Sequence, residues 1–218
     1  MIAVRKATVA LAVIAVYATQ VSVRAETATP PSRTVPDEAV PFVPQGGVVI
    51  AYAEVEAEGD AKTMAMAVRT LRPNQPADID PWDADYTCDL IILRNEGGTV
   101  RVTGRSSRAI ACRGNLLSPD VGTRVLDDSL DLREDEVTFR NLGDTAFEGM
   151  SSYSFRCAAG AWHLSAATAV FSSHGPRGGV THRKQAISYP KDFGLIRMED
   201  FDPDAIEHVM SKSERVID

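Results

Sequence analysis

The chain has 218 residues and carries 23 lysines and arginines against 30 aspartates and glutamates, a formal charge of −7. Its 44% hydrophobic and 24% charged residues are those of an ordinary globular domain, which argues against a disordered chain, a collagen-like repeat or a polytopic membrane protein. An acidic balance without basic runs argues against a nucleic-acid partner, and three cysteines are too few to build a disulfide mini-protein.

The first 25 residues read as an export signal. Arg5 and Lys6 form a positive start, and Ala7 to Ala18 is apolar apart from Thr8. That stretch has the length of a signal core and is too short to span a bilayer. Val23-Arg24-Ala25 places small residues where a signal peptidase cuts, so cleavage is expected after Ala25. No cysteine precedes Cys88, so the signal is not of the lipoprotein type. The expected location is the periplasm, with no membrane attachment after cleavage. Losing Arg5, Lys6 and Arg24 leaves 20 bases against 30 acids, or −10, on the exported form.

Residues 26–47 hold Pro30, Pro31, Pro36, Pro41 and Pro44. Proline at this density opposes helix and central strand, so an extended tether is expected. Residues 48–218 then form a single β-rich domain, long enough to bury one core. Val48–Glu56 and Met64–Leu71 alternate, with Glu54, Glu56 and Glu58 on a solvated face. Leu90–Leu93 leads through Asn95-Glu96-Gly97-Gly98, a hairpin turn, into Val100-Arg101-Val102. Ala109–Cys112, Glu136–Leu142, Tyr153–Cys157 and Trp162–Phe171 read as further strands, the last two joined by a tight hairpin at Ala158–Ala161. Phe139, Phe155 and Trp162 fall on inward faces. Ser172–Gly179 is an open loop, with Thr181–Tyr189 as its return strand. Near the end, Asp202 is a helix N-cap and Pro203 the first helical residue. The fold expected is mainly β: an antiparallel meander forming a sandwich, a barrel or a partial β-propeller-like domain, with a short C-terminal helix.

The densest acidic segment is Asp78 to Asp89, which leads into the strand at Leu90. Asp83, Asp85 and Asp89 stand at alternating offsets that suit an oxygen-liganded cation, so calcium is a candidate. The segment resembles the Asp-rich loop of FG-GAP and propeller-type repeats, but Pro81 occupies the first ligand position and Tyr86 replaces the turn glycine. Cys88, Cys112 and Cys157 allow three single pairings. Adjacency in a meander favours Cys88–Cys112, and an exported location permits the bond.

A second resemblance rests on Ile110–Asn115, on Tyr153–Arg156 with its hairpin to Trp162-His163-Leu164, and on the ending Tyr189-Pro190-Lys191-Asp192-Phe193-Gly194 with Glu199-Asp200-Phe201-Asp202. These residues look like those of exported bacterial β-rich proteins, among them periplasmic immunity proteins against peptidoglycan-degrading effectors. The resemblance implies a non-catalytic inhibitor whose partner is a cell-wall-degrading enzyme. The −10 charge suits a basic partner of that kind. The loop expected to make contact is one such as Ser172–Gly179, through Ser172, His174 and Arg177, or Leu116–Val121. Gly-x-Ser-x-Gly, His-Glu-x-x-His, Ser-x-x-Lys and phosphate-loop motifs are absent from the sequence. A hydrolase assembled from separated residues and a calcium-stabilised structural envelope protein are the alternatives.

Overall fold

The computed structural model describes residues 34–57, 61–76, 79, 85–112, 128–142, 149–174 and 179–217. The expected signal peptide, the start of the proline-rich segment and the Leu116–Val121 loop lie outside these residues.

Two antiparallel meanders make the architecture. The first sheet has the order β1 (Gly47–Glu56), β2 (Lys62–Leu71), β3 (Tyr86–Glu96), β4 (Thr99–Ser106). In the second, β5 (Leu130–Leu132), β6 (Glu136–Leu142), β7 (Met150–Ala158), β8 (Ala161–His174), β9 (Val180–Ser188) and β10 (Arg215–Ile217) lie side by side. The helix α1 (Pro203–Ser211), the one α-helix among the described residues, connects β9 to β10. The expectation of a mainly antiparallel β fold with a short C-terminal helix is met, and of the three architectures the sandwich is the one observed.

Two tight turns set the register. Gly97 and Gly98 have φ of 59° and 84°, which a two-residue turn with left-handed backbone requires. The Gly98 N–H donates to Asn95 Oδ1 at 3.0 Å. Ala159 and Gly160, also at positive φ, make the corresponding turn between β7 and β8.

Between the sheets, side-chain size is divided. The first sheet contributes small residues, Ala51, Ala65 and Ala67, beside Leu90 and Ile92. The second answers with Phe139, Tyr153, Phe155 and Trp162, all at or below 9% exposure. Phe201 closes the far end, its ring 4.8 Å from Tyr153 and 5.3 Å from Phe155. In α1, Ile206 and Met210 stand four residues apart on the face turned to this core. Asp202 caps the helix by accepting the Asp204 N–H at 2.9 Å, and Pro203 is its first residue. That is the start expected from the sequence.

The first sheet is buried on its outer side as well. Met64, Met66, Val68, Ile91 and Leu93 form a second cluster, covered by Val35, Ala39, Phe42 and Val43. The proline-rich segment expected to be a tether is therefore, from Val35 onward, a packed strap with a 3-10 turn at Val40–Phe42. Each large side chain so covered contributes about 1.5–3 kcal/mol, enough to hold the strap down although its prolines exclude regular strand.

Residues 109–112, expected to be a strand, pair with no strand. Asn141 stands in for one: its Oδ1 accepts the Ala111 N–H at 2.8 Å, and its Nδ2 donates to the Ala109 carbonyl at 3.0 Å. Ser106 Oγ accepts the Ala109 N–H at 3.2 Å. The segment is apolar because Ala109 and Ile110 enter the core, and its backbone is satisfied by side chains instead of a ladder.

Candidate functional site

The second sheet supplies the main candidate. β7 pairs with β8 as far as Met150↔Val170, and four further β8–β9 pairs follow, from Phe171↔Arg183 to His174↔Val180. Among the described residues, the β8–β9 hairpin therefore continues past the start of β7 as a two-stranded ribbon, flanked by β10 through His182–Lys184. Its ladder fixes the backbone up to the tip. Ser172 faces His182 across the ribbon, Ser172 Oγ lying 2.8 Å from His182 Nδ1. Of the residues expected to make partner contact, Ser172 and His174 are thus both placed on the ribbon, while Arg177 lies outside the described residues. The part played by His182 was not foreseen; its signal was a hydroxyl and an imidazole ten residues apart, flanking a Gly-Pro loop.

Of the proposed calcium ligands, the two that are described, Asp85 and Asp89, are not brought together. Asp83 lies outside the described residues. Asp85 pairs with Arg72 at 3.2 Å, and its backbone N–H and carbonyl are both bonded by the Gln75 side chain at 2.9 Å. Asp89, whose side chain is 10% exposed, is held by Arg105 through Nη2 at 2.7 Å and Nε at 3.2 Å. The carboxylate holds the Arg105 guanidinium above its ordinary pKa, mainly through that hydrogen bond. Asp85 leads into β3 and Asp89 lies within it, so extended chain at about 3.3 Å per residue separates them by about 13 Å. A single cation cannot span that distance. Among the described residues, no group of three or more histidine, cysteine or acidic side chains could hold a metal ion.

Cys88 and Cys112 form a disulfide with their Cα atoms 5.4 Å apart. The bond fastens the start of β3 to the segment that Asn141 holds. Cys157 is free and half-buried. It lines a recess of about 420 Å³ at the end of the sandwich, where Glu96 sits between Arg94 (2.8 Å) and Arg101 (3.0 Å).

Charge is unevenly placed. On the second sheet, Val137, Phe139, Tyr153, Phe155, Leu164, Ala167 and Ile187 point into the core. Strand alternation therefore turns Thr138, Arg140, Ser152, Ser154, Arg156, Thr168, Lys184 and Arg215 outward. Asp131 and Glu136 share this face, so its four cations stand against two carboxylates, a basic excess on a chain whose total charge is −7.

Compared with protein-family models, curated proteins and solved structures, the chain has no significant match in any of the three. No helix among the described residues is long and apolar enough to cross a membrane.

Proposed function

We propose that this is an exported, periplasmic, non-catalytic binding protein that blocks a cell-wall-degrading enzyme, with the β8–β9 hairpin as the element that enters the enzyme's cleft. The observation that carries this reading is the ribbon itself, four registered pairs long beyond β7. An inserted loop loses entropy on binding unless its conformation is already set. A hairpin clamped by its own ladder and by the Ser172–His182 pair has paid most of that cost on folding. The resemblance to immunity proteins supplies the enzyme class, and inhibition by occlusion needs no catalytic group. The acidic excess of the chain favours a basic enzyme as partner.

The test is a lysis assay on peptidoglycan with the exported form, residues 26–218. Stoichiometric inhibition of an added, basic peptidoglycan hydrolase supports the reading. Intrinsic turnover of the polymer, with no enzyme added, overturns it.

A second reading, hydrolysis, is favoured by one observation: Ser172 and His182 are within hydrogen-bonding distance on an exposed edge. Among the described residues, no carboxylate bonds to the His182 ring to orient it as a base. Loss of any intrinsic turnover in Ser172→Ala is the outcome that this reading requires.

A further inference from the structure

We infer that the outward face of the second sheet binds an anionic polysaccharide, a claim that stands independently of the inhibitor reading. The middle of this face is floored by small side chains: Ser152 and Ser154 on β7, Ala166 and Thr168 on β8. Cross-strand pairs place Thr138 opposite Ser154 and Ser152 opposite Thr168. Their hydroxyls are hydrogen-bonded, Thr138 Oγ1 to Ser154 Oγ at 2.7 Å and Ser152 Oγ to Thr168 Oγ1 at 2.6 Å. In each pair one hydroxyl donates to the other, which leaves the second O–H and several lone pairs directed outward.

Long cationic side chains border this floor on both sides. Arg140 and Arg156 rise from β6 and β7, Lys184 and Arg215 from the paired positions of β9 and β10. Strand spacing of ~4.8 Å puts β6 and β9 about 14 Å apart, so the floor is a shallow patch between Arg156 at one end and the Met150–Val170 row at the other, wide enough for a few units of a sugar chain. Arg156 is engaged by Glu136 at 2.6 Å, and Arg140 by Asp131 at 3.5 Å. Lys184 and Arg215 have no ion-pair partner among the described residues. One border is thus neutralised within the fold, and the other is left to meet charge from outside.

The chemistry of the patch selects its occupant. Hydroxyl donors and acceptors repeating along a flat floor match the hydroxyls of a sugar chain, and the Lys184–Arg215 border matches its carboxylates. A protein partner would be anchored by large apolar or aromatic side chains at the centre of the patch. Here the centre holds serine, threonine and alanine, the next row toward Lys184 holds the apolar pair Met150 and Val170, and no aromatic strand residue among the described residues alternates onto this face.

Polygalacturonate serves as the probe, with its fully methyl-esterified form and poly-aspartate as comparators, in calorimetry at two salt concentrations. The expected result is binding to polygalacturonate at least tenfold tighter than to either comparator, weakening as salt rises. Lys184→Glu with Arg215→Glu is expected to cut that affinity tenfold or more. Thr168→Val, which keeps the shape and removes a hydroxyl, is expected to cut it about threefold without changing the melting temperature. Equal binding to poly-aspartate would reduce the face to unspecific charge and overturn the proposal, as would absence of binding to polygalacturonate. If the double variant loses its fold, Thr168→Val alone decides: unchanged affinity overturns the proposal.

Discussion

Gly104 lies directly beneath the indole of Trp162: a Cβ at position 104 would stand 2.7 Å from Trp162 Cδ1 and 3.0 Å from Met198 Sδ. The contact joins β4 of one sheet to β8 of the other. Trp162 is 2% exposed and spends its one polar hydrogen on Thr103 Oγ1 at 3.2 Å. Gly104→Ala is therefore expected to push the ring outward and to destabilise the fold by about 1–3 kcal/mol, the usual cost of overpacking. Denaturant unfolding followed by tryptophan fluorescence checks this. A variant as stable as the parent would mean that the sheets adjust freely at this point.

The Asn141 clamp predicts a graded pair of variants. Asn141→Asp keeps the acceptor for Ala111 N–H and loses the donor to the Ala109 carbonyl, whereas Asn141→Ala loses both. The buried Ala109 carbonyl left without a partner costs about 1–3 kcal/mol, and the N–H of the exposed Ala111 less. Both variants are expected to melt below the parent, and amide exchange at Ala111 is expected to rise sharply only in Asn141→Ala.

Arginine truncations separate the two acidic residues of the Asp78–Asp89 segment that are described. Arg105→Ala strands the nearly buried Asp89 carboxylate and is expected to cost about 1–3 kcal/mol. Arg72→Ala breaks a pair whose two side chains are both more than half exposed, and is expected to cost under about 1 kcal/mol. Since both carboxylates are engaged by arginine, a chelator is expected to leave the melting temperature unchanged. A fall on chelation would restore the metal reading.

The Cys88–Cys112 bond closes a loop with a sequence separation of 24, for which the chain-entropy model gives about 3.5 kcal/mol. Reductant is expected to lower the melting temperature accordingly. Under native oxidised conditions a thiol reagent should label Cys157 alone. Labelling of Cys88 or Cys112 in the folded, unreduced protein would contradict the pairing.

Three groups set the pH range. Burial first, and then the hydrogen bond donated to Glu54 at 2.7 Å, hold the Tyr52 phenol well above its ordinary value. Burial does the same for Tyr153. An unfolded chain releases these protons near pH 10 while the fold retains them, so stability is complete below about pH 10 and falls as pH rises beyond it. Glu214 moves the other way: hydrogen bonds from Arg183 and then Gln185 hold its carboxyl below its ordinary value. Its contribution is present above the unfolded value near 4.5 and is lost as pH falls through the lower, folded one. Melting temperatures from pH 3 to 11 check both limbs. Tyr52→Phe should flatten the alkaline limb, and Glu214→Gln the acid one.

What the sequence disclosed follows from the range of each interaction. The Gly97–Gly98 turn, the Asp202–Pro203 helix start and the inward Phe139, Phe155 and Trp162 depend on near neighbours and period-two alternation, which the chain displays openly. The strap was misread because proline density masks packing. The sign of it lay elsewhere, in Met64, Met66, Ile91 and Leu93, which make β2 and β3 apolar on both faces and so demand a cover. Residues 109–112 looked like a strand because they are buried, and nothing local reveals that Asn141, some thirty residues away, supplies the hydrogen bonds. Asp85 and Asp89 looked like cation ligands because Arg72 and Arg105, which engage them, lie elsewhere in the chain, just after β2 and on β4. β5 and β10 have three residues each, too few for periodicity to register. For the candidate site, Ser172 and His174 were legible as part of a loop region. Their place on a ribbon that continues beyond the last β7 pair depends on where β7 stops pairing, which sequence spacing does not encode.

The central claim, that the β8–β9 hairpin is the inhibitory element, is most directly tested by replacing residues 175–178 with a two-residue Asn-Gly turn and titrating parent and variant against a basic peptidoglycan hydrolase. The account predicts that the parent inhibits at a stoichiometric ratio and that the variant, at an unchanged melting temperature, loses inhibition by at least tenfold. Full inhibition by the variant, or none by the parent against any hydrolase of that class, would contradict it.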